Sequence, residues 1–256
     1  MGIKISVRGK GGSGKSTLVS LLARAAQDQG FNTLVVDSDE SNSGLFRMLG
    51  LDKAPIPLIE LVGGRETIKE KMNQPSILSE TDITLEQIPS GYINEKNGLK
   101  LISIGKIHQA LEGCACPMGV LSREFLKKLR LRQNEIAIVD MEAGIEHFGR
   151  GIDNSLDAVL IVVEPSFESI ALAEKIKDLA SGINKQFWAV LNKVGSKSLI
   201  AEIKAKLKKR GLETIGVISY DVSIFLSGLK GDTLSRGRAT RQAGEILDSL
   251  LPAKSS

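Results

Sequence analysis

The residues best suited to chemistry lie in one glycine-rich stretch near the amino terminus. Residues 9–17 read GKGGSGKST and fit the spacing G-x-x-x-x-G-K-[ST]. Glycines let backbone N–H groups turn inward around phosphate oxygens, and the amino terminus of a following helix adds partial positive charge. Lys15 is then placed to reach the β- and γ-phosphates of a nucleotide, and the Ser16 hydroxyl to bind Mg²⁺. We therefore predict nucleotide-binding residues at Gly11, Gly12, Ser13, Gly14, Lys15, Ser16 and Thr17.

Acidic side chains follow two apolar runs. Asp37-Ser38-Asp39 closes the run 33–37, and Asp140 follows the run 136–139. Ligands of α/β proteins bind at the carboxyl ends of parallel strands, so these carboxylates are expected beside the phosphate loop. An apolar strand ending in Asp is also the pattern that supports Mg²⁺ in phosphate-loop proteins, which makes Asp140 a candidate magnesium residue. The structural alternative is an acidic residue that caps a turn or a helix.

The framework for these residues is a repeated pattern of strand, loop and helix. Apolar runs predict strands at 3–8, 33–37, 99–104, 136–140, 158–163, 187–191 and 214–218. Helical periodicity predicts helices at 16–29, 120–132, 167–181, 197–209 and 239–251. Four strands are unbroken apolar runs, as expected of parallel strands covered on both faces. The sequence predicts an α/β fold, a doubly wound and mostly parallel sheet with helices on both faces.

Residues 50–98 are less regular than the rest of the chain. They are expected to hold a short helix or two and a hairpin around Ser90-Gly91. No repeat, linker or low-complexity tract separates this segment from its flanks. We therefore interpret it as an insertion within a single domain that spans residues 1–256.

Composition narrows the class of protein. Hydrophobic residues make up 42% of the chain and charged residues 25%, which excludes a disordered chain. The longest apolar run, 158–163, is too short to cross a bilayer. The first residues lack the apolar region of a secretory signal, and two cysteines cannot form a disulfide scaffold. We expect a cytoplasmic protein, and a net charge of +4 is too small to indicate a nucleic-acid partner.

The two cysteines lie together in the stretch GCACP at 113–117, between a predicted strand and a predicted helix. Cys114 and Cys116 are therefore expected at the same edge of the sheet as the phosphate loop. Thiolates are soft ligands for Zn²⁺, Ni²⁺, Cu⁺ or an iron–sulfur cluster, so we predict a metal site here. The alternatives are two buried small side chains, a strained disulfide or a redox sensor. One chain supplies two thiolates, whereas a closed site requires four ligands.

Lys10, a second lysine at the start of the loop, points to a family. The stretch KGGSGKS resembles the phosphate loop of the dimerising ATPases that include the nitrogenase iron protein, Mrp-type iron–sulfur carriers and the Min and Par positioning ATPases. The resemblance implies an ATP-dependent homodimer with two ATP molecules held between the subunits. It implies that Lys10 reaches the partner's nucleotide, and that Lys10 and Lys15 are catalytic residues of a Mg²⁺-dependent ATPase.

The acidic residues match landmarks of the same family. The stretch at 37–39 resembles the start of its first switch, which implies that Asp39 orients the attacking water. By the same resemblance, Asp37 lies beside the phosphates and Mg²⁺. Residues 141–145, MEAGI, resemble the second switch. The resemblance therefore adds Asp39 to the catalytic residues, and Asp37 to the magnesium residues Ser16 and Asp140.

The base of the nucleotide is predicted from two later segments. Asn192-Lys193 begins like the N-K-x-D motif that reads guanine, but its fourth residue is Gly195. In the family that the chain resembles, the Asn contacts adenine, so we expect ATP rather than GTP. Ser219-Tyr220-Asp221 resembles a family segment that passes near the base. The predicted residues at this end are Asn192, Lys193, Tyr220 and Asp221.

A dimer of this kind would bring four cysteines together, the number that one closed metal site requires. The nitrogenase iron protein takes a cluster ligand from its second switch, where this chain has Ala143. The C-x-C motif, EAGIEHFGRG at 142–151 and VVEPS at 162–166 most resemble the accessory ATPases that insert nickel into carbon monoxide dehydrogenase. The resemblance implies a metallochaperone that carries Ni²⁺ or Zn²⁺ on Cys114 and Cys116 to such a client enzyme.

Two other functions stay open. One is an ATP-driven electron-transfer protein with a [4Fe–4S] cluster bridging the dimer, and the other is a Par- or Min-type positioning ATPase. The lysine-rich faces of the helices at 120–132 and 197–209 are interpreted as solvated surfaces, so no nucleic-acid partner is expected. No membrane partner is expected either, because the helix at 239–251 carries Glu245 and Asp248.

Overall fold

The computed structural model describes residues 2–41, 43–72, 74, 76–106, 116–144, 155–179 and 185–251. Within these ranges the chain forms eight strands. They are β1 (Ile3–Gly9), β2 (Asn32–Asp37), β3 (Asn94–Lys96), β4 (Leu99–Ser103), β5 (Glu135–Asp140), β6 (Ala158–Val163), β7 (Gln186–Val194) and β8 (Glu213–Ser219). All the strands predicted from the sequence are present, with ends shifted by up to three residues.

The helices of the same ranges lie between the strands and after the last one. They are α1 (Lys15–Asp28), α2 (Leu45–Met48), α3 (Leu58–Leu61), α4 (Gly64–Lys71), α5 (Cys116–Lys128), α6 (Phe167–Leu179), α7 (Lys197–Lys209), α8 (Val222–Lys230) and α9 (Arg238–Leu250). A 3₁₀ turn covers Leu85–Gln87. None of the described helices combines the length and the apolar character needed to span a bilayer.

The strands form one sheet in the order β3-β4-β2-β5-β1-β6-β7-β8. Only β3 runs antiparallel to its neighbour; the other neighbouring pairs are parallel. The parallel arrangement places the ends of β1, β2 and β5 side by side, because Val7 and Asp37 both pair with Asp140. These ends form the edge at which the predicted phosphate loop and carboxylates meet.

Both faces of the sheet are covered, which explains the unbroken apolar runs. In β5, Ile136 and Ile138 join one buried cluster together with Leu18 and Leu22 of α1. The alternate residues of the same strand join a second cluster on the opposite face, with Leu121 and Leu126 of α5. A third cluster packs α6 and α7 against β6 and β7. The predicted doubly wound α/β fold is confirmed.

Helix α5 differs from the prediction at both ends. It begins at Cys116 rather than at residue 120, since Pro117 falls in the first turn, where a proline costs no hydrogen bond. It ends at Lys128 rather than at residue 132. The next residues instead pair with residue Ile83, which donates to the Lys128 carbonyl at 2.9 Å and accepts from the Arg130 amide at 2.8 Å. This contact between distant segments is not visible in helical periodicity.

The hairpin in the irregular segment lies elsewhere than predicted. It connects β3 to β4 through Asn97-Gly98, whose φ angles are 54° and 79°, instead of turning at Ser90-Gly91. Two consecutive left-handed residues are typical of a tight type I′ hairpin turn, and Asn-Gly is its preferred sequence. Around it, Ile59, Ile68 and Leu85 are buried against Ile102 of β4. The segment 50–98 therefore packs on one face of the sheet.

Helix α8 was not predicted from the sequence. Asp221 caps its start by accepting a hydrogen bond from the Ser223 amide at 2.9 Å, and Gly231 ends it with a φ of 70°. An acidic cap and a terminal glycine are standard helix boundaries. The sequence interpretation overlooks these boundaries because it assigns Tyr220 and Asp221 to the nucleotide.

Candidate functional site

The glycine-rich loop joins the end of β1 to the start of α1 and folds as a phosphate loop requires. Gly12 and Gly14 have φ angles of 78° and 96°, which favour glycine. A Cβ at Gly14 would also collide with the side-chain amide of Asn192. The backbone N–H groups at the start of α1 therefore lie next to a loop whose shape is set by these glycine conformations.

Lys15, the first residue of α1, points into the site rather than to solvent. Its side chain is 6% exposed, and Nζ lies 4.0 Å from Oδ2 of Asp39. Asp39 is itself fixed, because its Oδ1 accepts hydrogen bonds from the amide and the hydroxyl of Ser41 at 3.0 and 2.6 Å. Two predicted catalytic groups, a lysine and a carboxylate, thus lie together in a buried position.

The predicted magnesium residues also lie together. The Ser16 hydroxyl donates to Oδ2 of Asp140 at 2.5 Å, and Asp140 is fully buried. The other carboxylate oxygen of Asp140 and Oδ1 of Asp37 are buried with no hydrogen-bond partner among the described residues. Buried acceptors without partners are costly, and a cation with its water shell would satisfy both. The donor set therefore fits Mg²⁺ held by Ser16, nucleotide phosphates and water, with the two carboxylates nearby.

Burial perturbs both of these carboxylates. It raises the pKa of Asp140 to about 7, against the opposing hydrogen bond from Ser16. It raises the pKa of Asp37 to about 6, against the opposing charge and hydrogen bond of Lys106. The charges of Asp37 and Asp39 also raise the pKa of Asp140, and the charge of Asp39 raises the pKa of Asp37. Such raised values mean that the pair lacks enough positive charge in the protein alone, as expected of residues that accompany a divalent cation.

Lys106 is a member of the site that was missed in the sequence. It follows the end of β4, next to β2 in the sheet, and its Nζ lies 2.6 Å from Oδ2 of Asp37. The same ammonium donates to the Asp39 carbonyl at 2.5 Å. The sequence alone gives no signal for this lysine, because its place beside the D-x-D carboxylates depends on β4 lying next to β2 in the sheet.

The carboxylate of Glu164 pairs with Lys10, the lysine on which the resemblance to the family rests. Nζ of Lys10 lies 3.6 Å from Oε1 of Glu164, which follows β6. Oε2 of the same carboxylate lies 3.2 Å from Nζ of Lys193, and Lys193 also donates to the Gly12 carbonyl at 2.5 Å. Glu164 was not predicted as a site residue. In the single chain, Lys10 is thus turned toward its own phosphate loop.

The predicted base-binding residues surround a cavity of about 300 Å³ beyond α1. Its lining includes Thr17, Asn192, Tyr220 and Phe225. Asn192 is 6% exposed, and its side-chain amide donates to the Ser13 carbonyl at 2.8 Å, which ties this cavity to the phosphate loop. Tyr220 is 53% exposed and available to a ligand, whereas Asp221 is engaged as the cap of α8. The cavity is of suitable size for a purine.

The geometry agrees with comparisons to known proteins. Residues 5–234 match the family described as the CobQ/CobB/MinD/ParA nucleotide binding domain. The chain belongs to this family. It is 44% identical to an "Uncharacterized ATP-binding protein" of Methanocaldococcus jannaschii, over 91% of this chain and 94% of that protein. It is 33% identical to the carbon monoxide dehydrogenase accessory protein CooC of Rhodospirillum rubrum, over 87% of this chain and 85% of CooC.

Solved structures support the same fold. The septum site-determining protein MinD of Pyrococcus horikoshii, in complex with Mg-ADP, superposes with a TM-score of 0.71 at 17% identity. The alignment covers 98% of this chain and 96% of MinD. The predicted family and fold are thereby confirmed, and with them the ATPase class. The roles of the individual residues stay predictions.

The predicted metal site at the two cysteines is not tested by these comparisons. Cys114 lies outside the described residues, and Cys116 is described only as the first residue of α5. In the part of the chain that is described, no group of three or more His, Cys, Asp and Glu side chains is arranged around a metal position. The strand that precedes the two cysteines in the sequence, β4, ends beside β2, because Ser103 pairs with Asp37. The metal site stays a prediction.

Proposed function

We propose that this ATPase is a metallochaperone that carries Ni²⁺ between Cys114 and Cys116 of two copies and delivers it to a carbon monoxide dehydrogenase-type enzyme. The proposal is supported by the 33% identity to CooC, which is named as an accessory protein of carbon monoxide dehydrogenase. It is also supported by the chemistry of the motif, since thiolates favour Ni²⁺ and Zn²⁺ over the hard cation Mg²⁺.

One contact carries the proposal, because it connects the nucleotide site to the cysteine helix. The hydroxyl of Ser38, between the two aspartates of the D-x-D stretch, lies 2.6 Å from the hydroxyl of Ser122. Ser122 belongs to α5 and is 1% exposed. Cys116 begins the same helix six residues earlier, about 9 Å along its axis at the usual rise per residue. A change at the aspartates would therefore reach the metal ligand through one rigid element.

The hydrolytic step follows from the buried charges. Lys15 would neutralise the phosphates from the start of α1, and Asp39, whose Oδ2 lies 4.0 Å from Nζ of Lys15, would orient the attacking water. Mg²⁺ would be held by Ser16 with Asp37 and Asp140 beside it, and would supply charge stabilisation of the phosphates. Lys10 would leave Glu164 and act on the nucleotide of the partner subunit. ATP would thus assemble the dimer and bring its four thiolates together. Hydrolysis would separate the subunits and release the metal.

Release of the metal is the step that distinguishes this function from its rivals. Protein loaded with Ni²⁺ under anaerobic conditions should pass the metal to a chromophoric chelator faster after ATP hydrolysis than with a non-hydrolysable analogue. Ser122→Ala should keep ATP hydrolysis and lose that acceleration, whereas Ser198→Ala, at an exposed serine of α7 whose hydroxyl pairs with that of Ser196, should behave as wild type.

The two alternative functions predict other outcomes. A brown protein with a charge-transfer band near roughly 400 nm would favour a bridging [4Fe–4S] cluster and electron transfer. If Cys114→Ala/Cys116→Ala left cellular function intact, the metal role would be wrong and a positioning ATPase would be favoured.

A further inference from the structure

The unexpected lysine of the site carries an inference beyond the proposed function. Lys106 is mostly buried, with its side chain 13% exposed, and it contacts two separate parts of the D-x-D stretch. Nζ lies 2.6 Å from Oδ2 of Asp37 and donates to the backbone carbonyl of Asp39 at 2.5 Å. One ammonium group thus fixes both the carboxylate beside the magnesium position and the backbone of the residue proposed to orient water.

The charge balance gives this lysine a particular role. Asp37, Asp39 and Asp140 are all 5% exposed or less. Within the described ranges, the ammonium groups that lie within 4.0 Å of these carboxylates are Lys15, 4.0 Å from Asp39, and Lys106, 2.6 Å from Asp37. Lys15 belongs to the phosphate loop and is committed to the nucleotide. A buried carboxylate needs a close counter-charge, and for Asp37 that charge is Lys106.

Mg²⁺ and this ammonium would compete for the same carboxylate. The cation position is marked by the Ser16 hydroxyl and by the unpartnered oxygens of Asp37 and Asp140. Lys106 already holds the remaining oxygen of Asp37. Two cations on one carboxylate repel each other, so binding of one weakens binding of the other.

We propose that Lys106 is the resident counter-ion of the magnesium site, a positioning residue that holds Asp37 and Asp39 in the nucleotide-free protein and yields Asp37 when Mg²⁺ arrives. The proposal rests on the magnesium residues of the proposed function. Under this proposal, Lys106 lowers the affinity of the site for Mg²⁺ and keeps Asp37 and Asp39 in fixed positions in the nucleotide-free protein. It also means that arrival of Mg²⁺ loosens the Asp39 carbonyl, so that magnesium and the water-orienting residue are mechanically connected.

The test measures how strongly Mg²⁺ and ADP assist each other. The Kd of the full-length protein for ADP is measured with excess Mg²⁺ and with EDTA, and the ratio of the two values is the coupling factor. Removing a unit positive charge at this distance should increase the coupling factor of Lys106→Met roughly tenfold over wild type. Lys106→Arg should restore the wild-type value. Lys100→Met is the matched control, because Lys100 is a half-buried, ion-paired lysine in β4, the strand before Lys106, and lies away from the site.

Thermal unfolding keeps the proposal falsifiable if the substitution weakens the fold. Lys106→Met should lower the Tm in EDTA, and Mg²⁺ with ADP should recover most of that loss. A merely structural lysine would lower the Tm equally in both conditions, and that result would overturn the proposal, as would a coupling factor equal to or below that of wild type. Asp140→Asn separates the two ideas: if it keeps wild-type coupling, the magnesium residues are wrong, whatever Lys106→Met shows.

Discussion

Replacing Asp140 by Asn should stabilise the nucleotide-free protein while removing its response to magnesium. Asp140 is fully buried, and burial raises its pKa from 3.8 to about 7. A carboxyl whose pKa is raised by folding disfavours the folded state once it is ionised. The penalty is complete above pH 7 and fades as the pH falls toward 3.8. An Asn side chain keeps the acceptor for Ser16 and carries no charge.

The size of the effect follows from the pKa. A rise of about three pKa units means that the ionised carboxyl lowers the free energy of unfolding by about 4 kcal/mol at pH 8. The new amide donors replace an oxygen that has no partner among the described residues, and an unsatisfied donor costs about 1–3 kcal/mol. The free energy of unfolding of Asp140→Asn should therefore exceed that of wild type by about 2 kcal/mol. In a chain of this length, that difference raises the Tm by about 4–8 °C.

Differential scanning fluorimetry in EDTA across pH 5 to 8 measures this effect. The Tm advantage of Asp140→Asn should be largest at pH 8 and should shrink below pH 7, where the wild-type carboxyl is protonated. Adding Mg²⁺ and ADP should raise the Tm of wild type more than that of the variant. Asp52→Asn, at a carboxylate that is 92% exposed, should change nothing. A variant Tm at or below wild type at pH 8, or an advantage independent of pH, would refute the reasoning.

Two further predictions concern charged residues at other places. Lys10→Ala should bind ATP with near wild-type Kd but hydrolyse it at least roughly a hundredfold more slowly, because the lysine stabilises charge in the transition state at the partner's nucleotide. Normal turnover in a steady-state ATPase assay would contradict this action of Lys10 on the partner subunit. Burial alone would raise the pKa of Glu124, but hydrogen bonds from Lys128, Ser76 and the amides of Ile77 and Leu78 lower it to about 2. The stabilisation of the fold by ionised Glu124 is therefore complete above pH 4.5 and is lost as the pH falls toward 2. Glu124→Gln should lower the free energy of unfolding by about 1–2 kcal/mol at pH 7, after allowance for solvent screening, and should leave it unchanged near pH 2. Denaturant titrations at the two pH values measure this difference.

The strands and the phosphate loop could be predicted from the sequence because their signals are local. The β6 run 158–163 was predicted with its observed bounds, since six consecutive apolar residues between polar ones fit a strand buried on both faces. The loop after β1 was equally clear, because its glycine spacing reflects φ angles that other residues avoid. The Asn97-Gly98 turn was equally local but was overlooked in favour of Ser90-Gly91.

The parts that could not be predicted depend on contacts between distant segments. Lys106 meets Asp39 across 67 residues of sequence, and only the order of β4 beside β2 brings them together. Glu164 holds Lys10 because β6 lies beside β1. The early end of α5 depends on Ile83 in the irregular segment. Periodicity and motifs give the elements, whereas strand order decides which charges become neighbours.

Metal analysis of the nucleotide-bound dimer tests the central claim most directly. The protein, purified anaerobically with a non-hydrolysable ATP analogue, should elute as a dimer that contains one Ni²⁺ or Zn²⁺ for every two chains. Cys114→Ala/Cys116→Ala should dimerise with the same nucleotide and contain none. A wild-type dimer without thiolate-bound metal, or a cysteine variant that keeps the full metal content, would contradict the account.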